Sequence, residues 1–290
     1  MSPQRRYLEL LRKSLVNDLY AENEARLLYI FTCLRGGQPI DAAIVRRIGA
    51  AFPDLLQVMS ARREDGKPWW ELKIPAKDGS TREMNLRNEV QFSHSMIGRR
   101  RLLNIEQCLD QVREDRIPGD VIETGVWRGG ATILMRGYLA VYEMNERDVW
   151  VADSFEGLPV PSHPLDERWD YSARNMPILA VSLEEVQGLF ERYGLLDERV
   201  RFLKGWFKDT LPGAPIEELA LLRLDGDLYE STMDALSALY DKVVPGGFIL
   251  VDDYGDFEAC RKAVDEFRAA RGIRDPIENA DWSGVYWRKS

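Results

Sequence analysis

Five carboxylates in this chain each close a short apolar run: Glu123 after Val121-Ile122, Asp153 after Val149 to Ala152, Asp225 after Leu219 to Leu224, and Asp252-Asp253 after Phe248 to Val251. Runs this short, bounded by turn residues, predict buried parallel strands. An open α/β sheet binds its ligands along the edge where the carboxyl ends of such strands emerge. Acids at that edge have two chemical uses. Glu123 and Asp153 suit a cofactor, because an acid ending the second strand accepts hydrogen bonds from ribose hydroxyls. Asp225, Asp252 and Asp253, with Asp227 as a nearby spare, form an oxygen-rich set without histidine or cysteine. Such a set suits a hard cation, most often Mg2+. The competing assignment is that these aspartates only cap the helices that follow.

The stretch Glu123-Thr124-Gly125-Val126-Trp127-Arg128-Gly129-Gly130 joins the first of these strands to Ala131–Val141, which is apolar at helical spacing. Gly125 permits a sharp turn, and Gly129 and Gly130 let a ligand approach a helix N-terminus, where free N–H groups favour negative charge. A dinucleotide fingerprint needs glycine at the first, third and sixth positions, and the third counted from Gly125 is Trp127. A nicotinamide oxidoreductase therefore fits the fold class but not the loop. An acid two residues before the first glycine, with the next glycine four further on, is similar instead to the first motif of S-adenosylmethionine (SAM) methyltransferases. A plain strand–helix turn is the alternative.

The elements that must position these residues alternate along the chain. Arg199–Leu203 predicts a further strand, followed by Gly205-Trp206-Phe207, whose aromatics suit an adenine ring or the core. A loop with Pro159, Pro161 and Pro164 carries His163 and Trp169 and has the length of a flap over the site. Ser182-Leu183-Glu184-Glu185 is a capping box. Glu230–Val243 predicts a helix, Val244-Pro245-Gly246-Gly247 a turn, Asp256 a cap for a helix over 257–270, and Gly284–Trp287 an antiparallel edge strand. The expected architecture is a doubly wound, mostly parallel α/β sheet over residues 91–290.

Residues 1–90 read differently. Tyr7, Leu8, Leu11, Leu15 and Leu19, then Leu27, Leu28, Phe31 and Leu34, recur at helical spacing. Trp69–Ile74 and Thr81–Met84 flank Asp78-Gly79 as a β-hairpin. The segment predicts a helical and hairpin cap or an oligomer contact, with the tryptophan pair lining a substrate cleft or packing on the cap. Ser95–Glu114 predicts an amphipathic helix on which Arg99, Arg100 and Arg101 suit a phosphate patch or, since three consecutive residues fan around a helix, rather a solvated, salt-bridged face. His94, just before it, suits capping, packing or catalysis.

At 290 residues the chain accommodates one large domain, or a main domain with an appendage. A net charge of −9 argues against a nucleic-acid groove. Cys33, Cys108 and Cys260 form no C-x-x-C pair, which fits a reducing cytoplasm. No apolar run is long enough to cross a membrane.

In order and spacing, several motifs resemble the macrocin O-methyltransferases, Mg2+- and SAM-dependent sugar O-methyltransferases of antibiotic biosynthesis. They are Ser95–Gly98, Ile122–Gly130, Ala152–Pro159, Gly205–Pro212, Leu224–Thr232 and Asp252–Tyr254. The resemblance implies that Glu123, Thr124, Gly125, Asp153, Ser154, Trp206 and Phe207 surround SAM, with Met96 nearby. It implies that Asp225, Asp252 and Asp253 hold the metal and that Asp227 is the candidate base. It implies a sugar acceptor, glycosylated or nucleotide-linked, and a homodimer or larger assembly. Two features depart from the family: the segment from about Gly36 to Asn88 is longer, and Ser95 stands where threonine is usual. A catechol-type methyltransferase, acting on an aromatic diol with the same cofactor and metal, is the runner-up. A non-enzymatic SAM-binding regulator would have no use for the aspartates.

Overall fold

The computed structural model describes residues 1–65, 70–75, 81–86 and 92–290, which fall into two compact units. One unit is Glu9–Arg100; the other joins Met1–Leu8 to Arg101–Ser290.

The smaller unit is helical with one hairpin. Helix α1 (Pro3–Leu15), whose first residues belong to the larger unit, is followed by α2 (Ala21–Arg35), α3 (Ala42–Arg46), α4 (Ile48–Ala51) and α5 (Pro53–Asp65). The glycine pair at 36–37 ends α2. Pro53 opens α5, where its missing N–H costs nothing. Leu28, Tyr29, Ile48, Leu55 and Met59 make a small core. Strands β1 (Trp70–Pro75) and β2 (Thr81–Leu86) pair antiparallel, as expected; the predicted Asp78-Gly79 turn and Trp69 lie outside the described residues.

Helix α6 runs Arg99–Glu114, so Ser95–Gly98 precede it rather than forming its first turn. The larger unit then alternates: β3 (Asp120–Thr124), α7 (Gly130–Val141), β4 (Val149–Asp153), α8 (Leu183–Arg192), β5 (Val200–Lys204), α9 (Phe207–Thr210), β6 (Leu219–Leu224), α10 (Tyr229–Leu239), β7 (Val243–Val251), α11 (Glu258–Arg271), β8 (Glu278–Asn279) and β9 (Val285–Arg288). The sheet order is β5-β4-β3-β6-β7-β9-β8, parallel from β5 through β7 and antiparallel thereafter. The chain winds outward from β3 through β4 to β5 and then crosses back to β6. The topological switch point therefore lies between β3 and β6, where a doubly wound sheet binds its ligand.

Burial explains the strands: β6 is buried along its whole length, and Ile122, Leu222, Ile249, Val264 and Trp287 share one core. Ser182 caps α8 as its sequence predicts, its Oγ accepting from the Glu185 N–H at 3.2 Å. Three local expectations change. Helix α10 stops at Leu239, because Tyr240–Lys242 tightens to a 3-10 turn before the strand begins. The Val244–Gly247 turn becomes an interruption inside β7. Val243 pairs with Leu219 and Phe248 with Leu221, so the four residues between them loop out of the ladder. The last strand, β9, sits one place in from the edge, which β8 occupies.

Candidate active site

Glycine at 125 is a geometric necessity. Its φ is +86°, and a Cβ there would lie 1.7 Å from the carbonyl oxygen of Asp225. The Gly125 N–H donates to the Ala152 carbonyl at 2.8 Å, and the Asp225 N–H to that of Thr124 at 2.9 Å. The loop after β3 is thus stitched to the ends of β4 and β6. Gly129, at φ +77°, sets the start of α7, and no side chain bonds at this N-cap. The first-turn amides of the helix are therefore available to an anionic ligand.

Asp153 organises this loop. Its Oδ2 accepts from the Val126 N–H at 2.7 Å and its Oδ1 from the Phe155 N–H at 2.7 Å. Its position at the carboxyl end of β4, beside the glycine loop, suits a ribose hydroxyl. Ser154 is buried and donates from Oγ to the Gly157 carbonyl at 2.7 Å. Losing the Asp153 carboxylate removes charge-assisted bonds from the loop. Asp153→Ala is therefore expected to weaken SAM affinity about ten- to a hundredfold in a calorimetric titration. Unchanged affinity would remove Asp153 from the site.

Glu123 is 2% exposed, and its Oε1 is bonded by Arg223. Its Oε2 is buried without a hydrogen-bond partner among the described residues, an acceptor that fits a cofactor's cationic amino group. Burial pushes the Glu123 carboxyl up to about 8 against the pull of Arg223, as desolvation does to a charged acid. Thr124 is buried beside it. Trp206 and Phe207, half-buried, stand where β5 passes into α9, and Phe207 lies against Gly226. Met96 belongs to the other unit, half-buried in the bends before α6.

Asp225, Asp252 and Asp253 converge, each offering an oxygen within 4.8 Å of the others. The chain bends after both strands, so two consecutive aspartates reach one point. Asp227 is not extended: at φ +56° it is left-handed, and its N–H donates to Asp253 Oδ2 at 3.2 Å. Its place beside these carboxylates is set by this left-handed turn. Neighbouring negative charge raises the pKa values of Asp225, Asp227 and Asp253, since like charges disfavour ionisation. Burial and then Asp252 push Asp225 up to about 6; burial, then Asp225 and Asp252, push Asp227 up to about 8. Burial and then Asp227 hold Asp253 well above the usual carboxylate range. A compact all-oxygen set whose acids outnumber the cations beside them fits a hard dication.

Two arginines at this cluster are absent from the sequence-based site. Arg223 bonds Glu123, Asp225 and Asp252, and Arg101 bonds Asp252 and Asp281. Arg101 is buried, so the solvated face expected for Arg99–Arg101 does not extend to it. A signal for Arg223 exists: one cation inside the apolar run Leu-Ala-Leu-Leu-Arg-Leu.

The proline-rich loop over 154–176 is tied down. Asp166, fully buried, accepts from the N–H groups of Tyr229 at 2.8 Å and Glu230 at 3.3 Å, capping α10 from a distance. His163 stacks on Tyr229 at 4.3 Å, and its Nδ1 accepts from the Leu165 N–H. Trp169, Tyr171 and Phe257 pack together at 5.3–6.0 Å between centroids, and the Phe257 N–H donates to the Asp253 carbonyl. The helix start expected at Asp256 shifts accordingly, with Phe257 at the N-cap of α11.

A sheet of this order, with a glycine loop and an acidic edge at its switch point, defines a SAM-dependent methyltransferase of the Rossmann-like class. The family model for macrocin-O-methyltransferase (TylF) matches residues 4–289. The 8-demethyl-8-(2,3-dimethoxy-alpha-L-rhamnosyl)-tetracenomycin-C 4'-O-methyltransferase of Streptomyces olivaceus is 54% identical over 68% of this chain and 76% of its own. Mycinamicin III 3''-O-methyltransferase of Micromonospora griseorubida is 52% identical over 68% and 79%. Among solved structures, the O-methyltransferase NovP matches with a TM-score of 0.76 and 41% identity, over 99% of both chains. The chain belongs to the macrocin-O-methyltransferase family and is an O-methyltransferase.

Proposed function

We propose that this enzyme methylates a sugar hydroxyl of a glycosylated natural product or a nucleotide sugar. In this reading Asp225, Asp252 and Asp253 hold Mg2+ and Asp227 is the general base. The observation that carries it is the convergence of three carboxylates beside the glycine loop at the switch point. The sugar acceptor is supported by relatives whose names place methylation on a rhamnosyl unit or at a doubly primed position.

An alkyl hydroxyl is a poor nucleophile at neutral pH and must lose its proton as it attacks. Asp227 lies beside the ligand carboxylates and takes that proton. The bound cation would supply charge that orients two sugar oxygens and stabilises developing alkoxide. SAM would supply the electrophilic methyl group. The glycine loop, Glu123 and Asp153 would orient the cofactor, and Trp206 and Phe207 would offer aromatic surface to its adenine. Trp169, Tyr171 and Phe257 present aromatic surface that excludes water near Asp253. The buried free thiols fit a reducing cytoplasm. Leu10, Phe31 and Leu34, exposed on α1 and α2, support a homo-oligomer, which sedimentation would test.

Purified enzyme with radiolabelled SAM should methylate a deoxysugar glycoside or nucleotide sugar, lose the activity in chelator and regain it with Mg2+. Methylation of catechols but no sugar would overturn the acceptor; full rate in chelator would overturn the metal. A pH dependence follows from the raised carboxyl pKa values. Protons occupy these groups below their pKa and compete with the cation, so metal binding releases protons. Mg2+ affinity should therefore tighten with rising pH, by about tenfold per unit while one ligand carboxyl still holds its proton. It should flatten once the last ligand carboxyl has lost its proton. A flat calorimetric profile from pH ~6 to ~8 would contradict this.

A further inference from the structure

Two guanidinium groups are buried against the acid cluster. The Arg223 side chain is 2% exposed on the fully buried strand β6; it donates to Asp225 Oδ2 at 2.7 Å and also bonds Glu123 and Asp252. Arg101 donates to Asp281 Oδ2 at 3.0 Å and bonds the other oxygen of Asp252. Asp281 is itself fixed, its Oδ1 accepting from the N–H groups of Ser283 and Gly284 at 2.9 and 2.8 Å. Both oxygens of Asp252 are therefore held by cations, while its main chain is locked by bonds to Leu224 and Ser283.

We propose that Arg223 and Arg101 are internal counter-ions: they hold the acid cluster assembled before a divalent cation arrives, and they keep its affinity for that cation low. The inference rests on the cation reading above. Burying several carboxylates close together is unfavourable without opposing charge. The arginines supply part of that charge, so the site needs no metal to fold. The same guanidiniums bond two of the three candidate ligands and repel an arriving dication, so the cation must share Asp225 and Asp252 with them. Arg223 and the metal are competing partners for one set of oxygens. A purely structural ion-pair network would stabilise the fold equally with metal or without it.

The test measures Mg2+ and Mn2+ affinity by calorimetry, and thermal unfolding in chelator and in saturating Mg2+, for the full chain and three variants. Arg223→Met should bind Mg2+ about tenfold more tightly or better, from the loss of one positive charge near the ion. It should melt well below wild type in chelator and recover most of that loss in Mg2+. Arg223→Lys, which keeps the charge, should stay within a few fold of wild-type affinity. Arg101→Met should tighten binding in the same direction and leave β6 unchanged; its readings decide if Arg223→Met does not fold. Equal loss of melting temperature in both conditions, with affinity unchanged or weaker, would overturn the counter-ion role alone. No binding of either ion to wild type or variants would overturn the cation reading and this inference with it.

Discussion

Replacing Asp227 with asparagine is expected to lower turnover by about 10²–10⁴-fold while SAM and Mg2+ affinities stay within a few fold of wild type. Asparagine is a fair replacement in every structural respect. It tolerates left-handed backbone, the conformation that Asp227 adopts at φ +56°. The main-chain N–H that bonds Asp253 is unaffected. What the change removes is the ability to accept a proton. Burial and the neighbouring charges of Asp225 and Asp252 raise the Asp227 carboxyl to about 8, a strong base for its type when ionised. The measurement is single-turnover methylation at saturating Mg2+. A near-normal rate would end the candidacy of Asp227 and move suspicion to the histidines. His163 is poorly placed for that role through Nδ1, which already accepts a hydrogen bond from Leu165.

The sheet is legible in the sequence because its strands obey one local rule. Each of β3, β4, β6 and β7 contains a short, mostly apolar run that an acid closes, and the acids mark the ligand-binding edge without further information. Asp225, Asp252 and Asp253 can be grouped from those positions alone, and the structure brings them together. The failures involve long-range pairing. Arg101 reads as one of three consecutive surface cations, because its partners Asp252 and Asp281 lie more than a hundred residues away. Arg223 hides inside an apolar run, where its value depends on the carboxylates of neighbouring strands. The geometry of Asp227 is missed for a different reason. Strand periodicity does not extend past Leu224, since Asp227 itself adopts a left-handed conformation. Asp166 has no local signature at all, since it caps a helix that begins sixty-three residues later.

Gly125→Ala is expected to abolish measurable SAM binding at micromolar concentrations and to destabilise the protein by about 2–5 kcal/mol, the combined scale of overpacking and left-handed strain. The new methyl carbon would fall 1.7 Å from the Asp225 carbonyl oxygen and 2.8 Å from its carbonyl carbon, contacts that no rotamer change relieves because the obstacle is backbone. Two relaxations are open. The loop moves away from β6, or the Asp225 turn moves away from the loop. The first breaks the Gly125 N–H bond to Ala152 and disturbs the backbone that Asp153 holds through Val126. The second displaces a candidate metal ligand and breaks the Asp225 N–H bond to Thr124. Either way one missing side chain couples the cofactor loop to the acid cluster, so both binding functions should fall together. Gly213→Ala is the control, because a Cβ there meets nothing within 4 Å. Its effect on stability should stay within about 0.5 kcal/mol, the usual scale for an unencumbered surface change. Calorimetry with SAM and with Mg2+, run beside chemical unfolding of both variants, separates local damage from loss of fold. If Gly125→Ala binds SAM normally, the close approach of loop and Asp225 is not what shapes the cofactor site. If it loses SAM but keeps wild-type Mg2+ affinity, the loop has moved and the acid cluster has not.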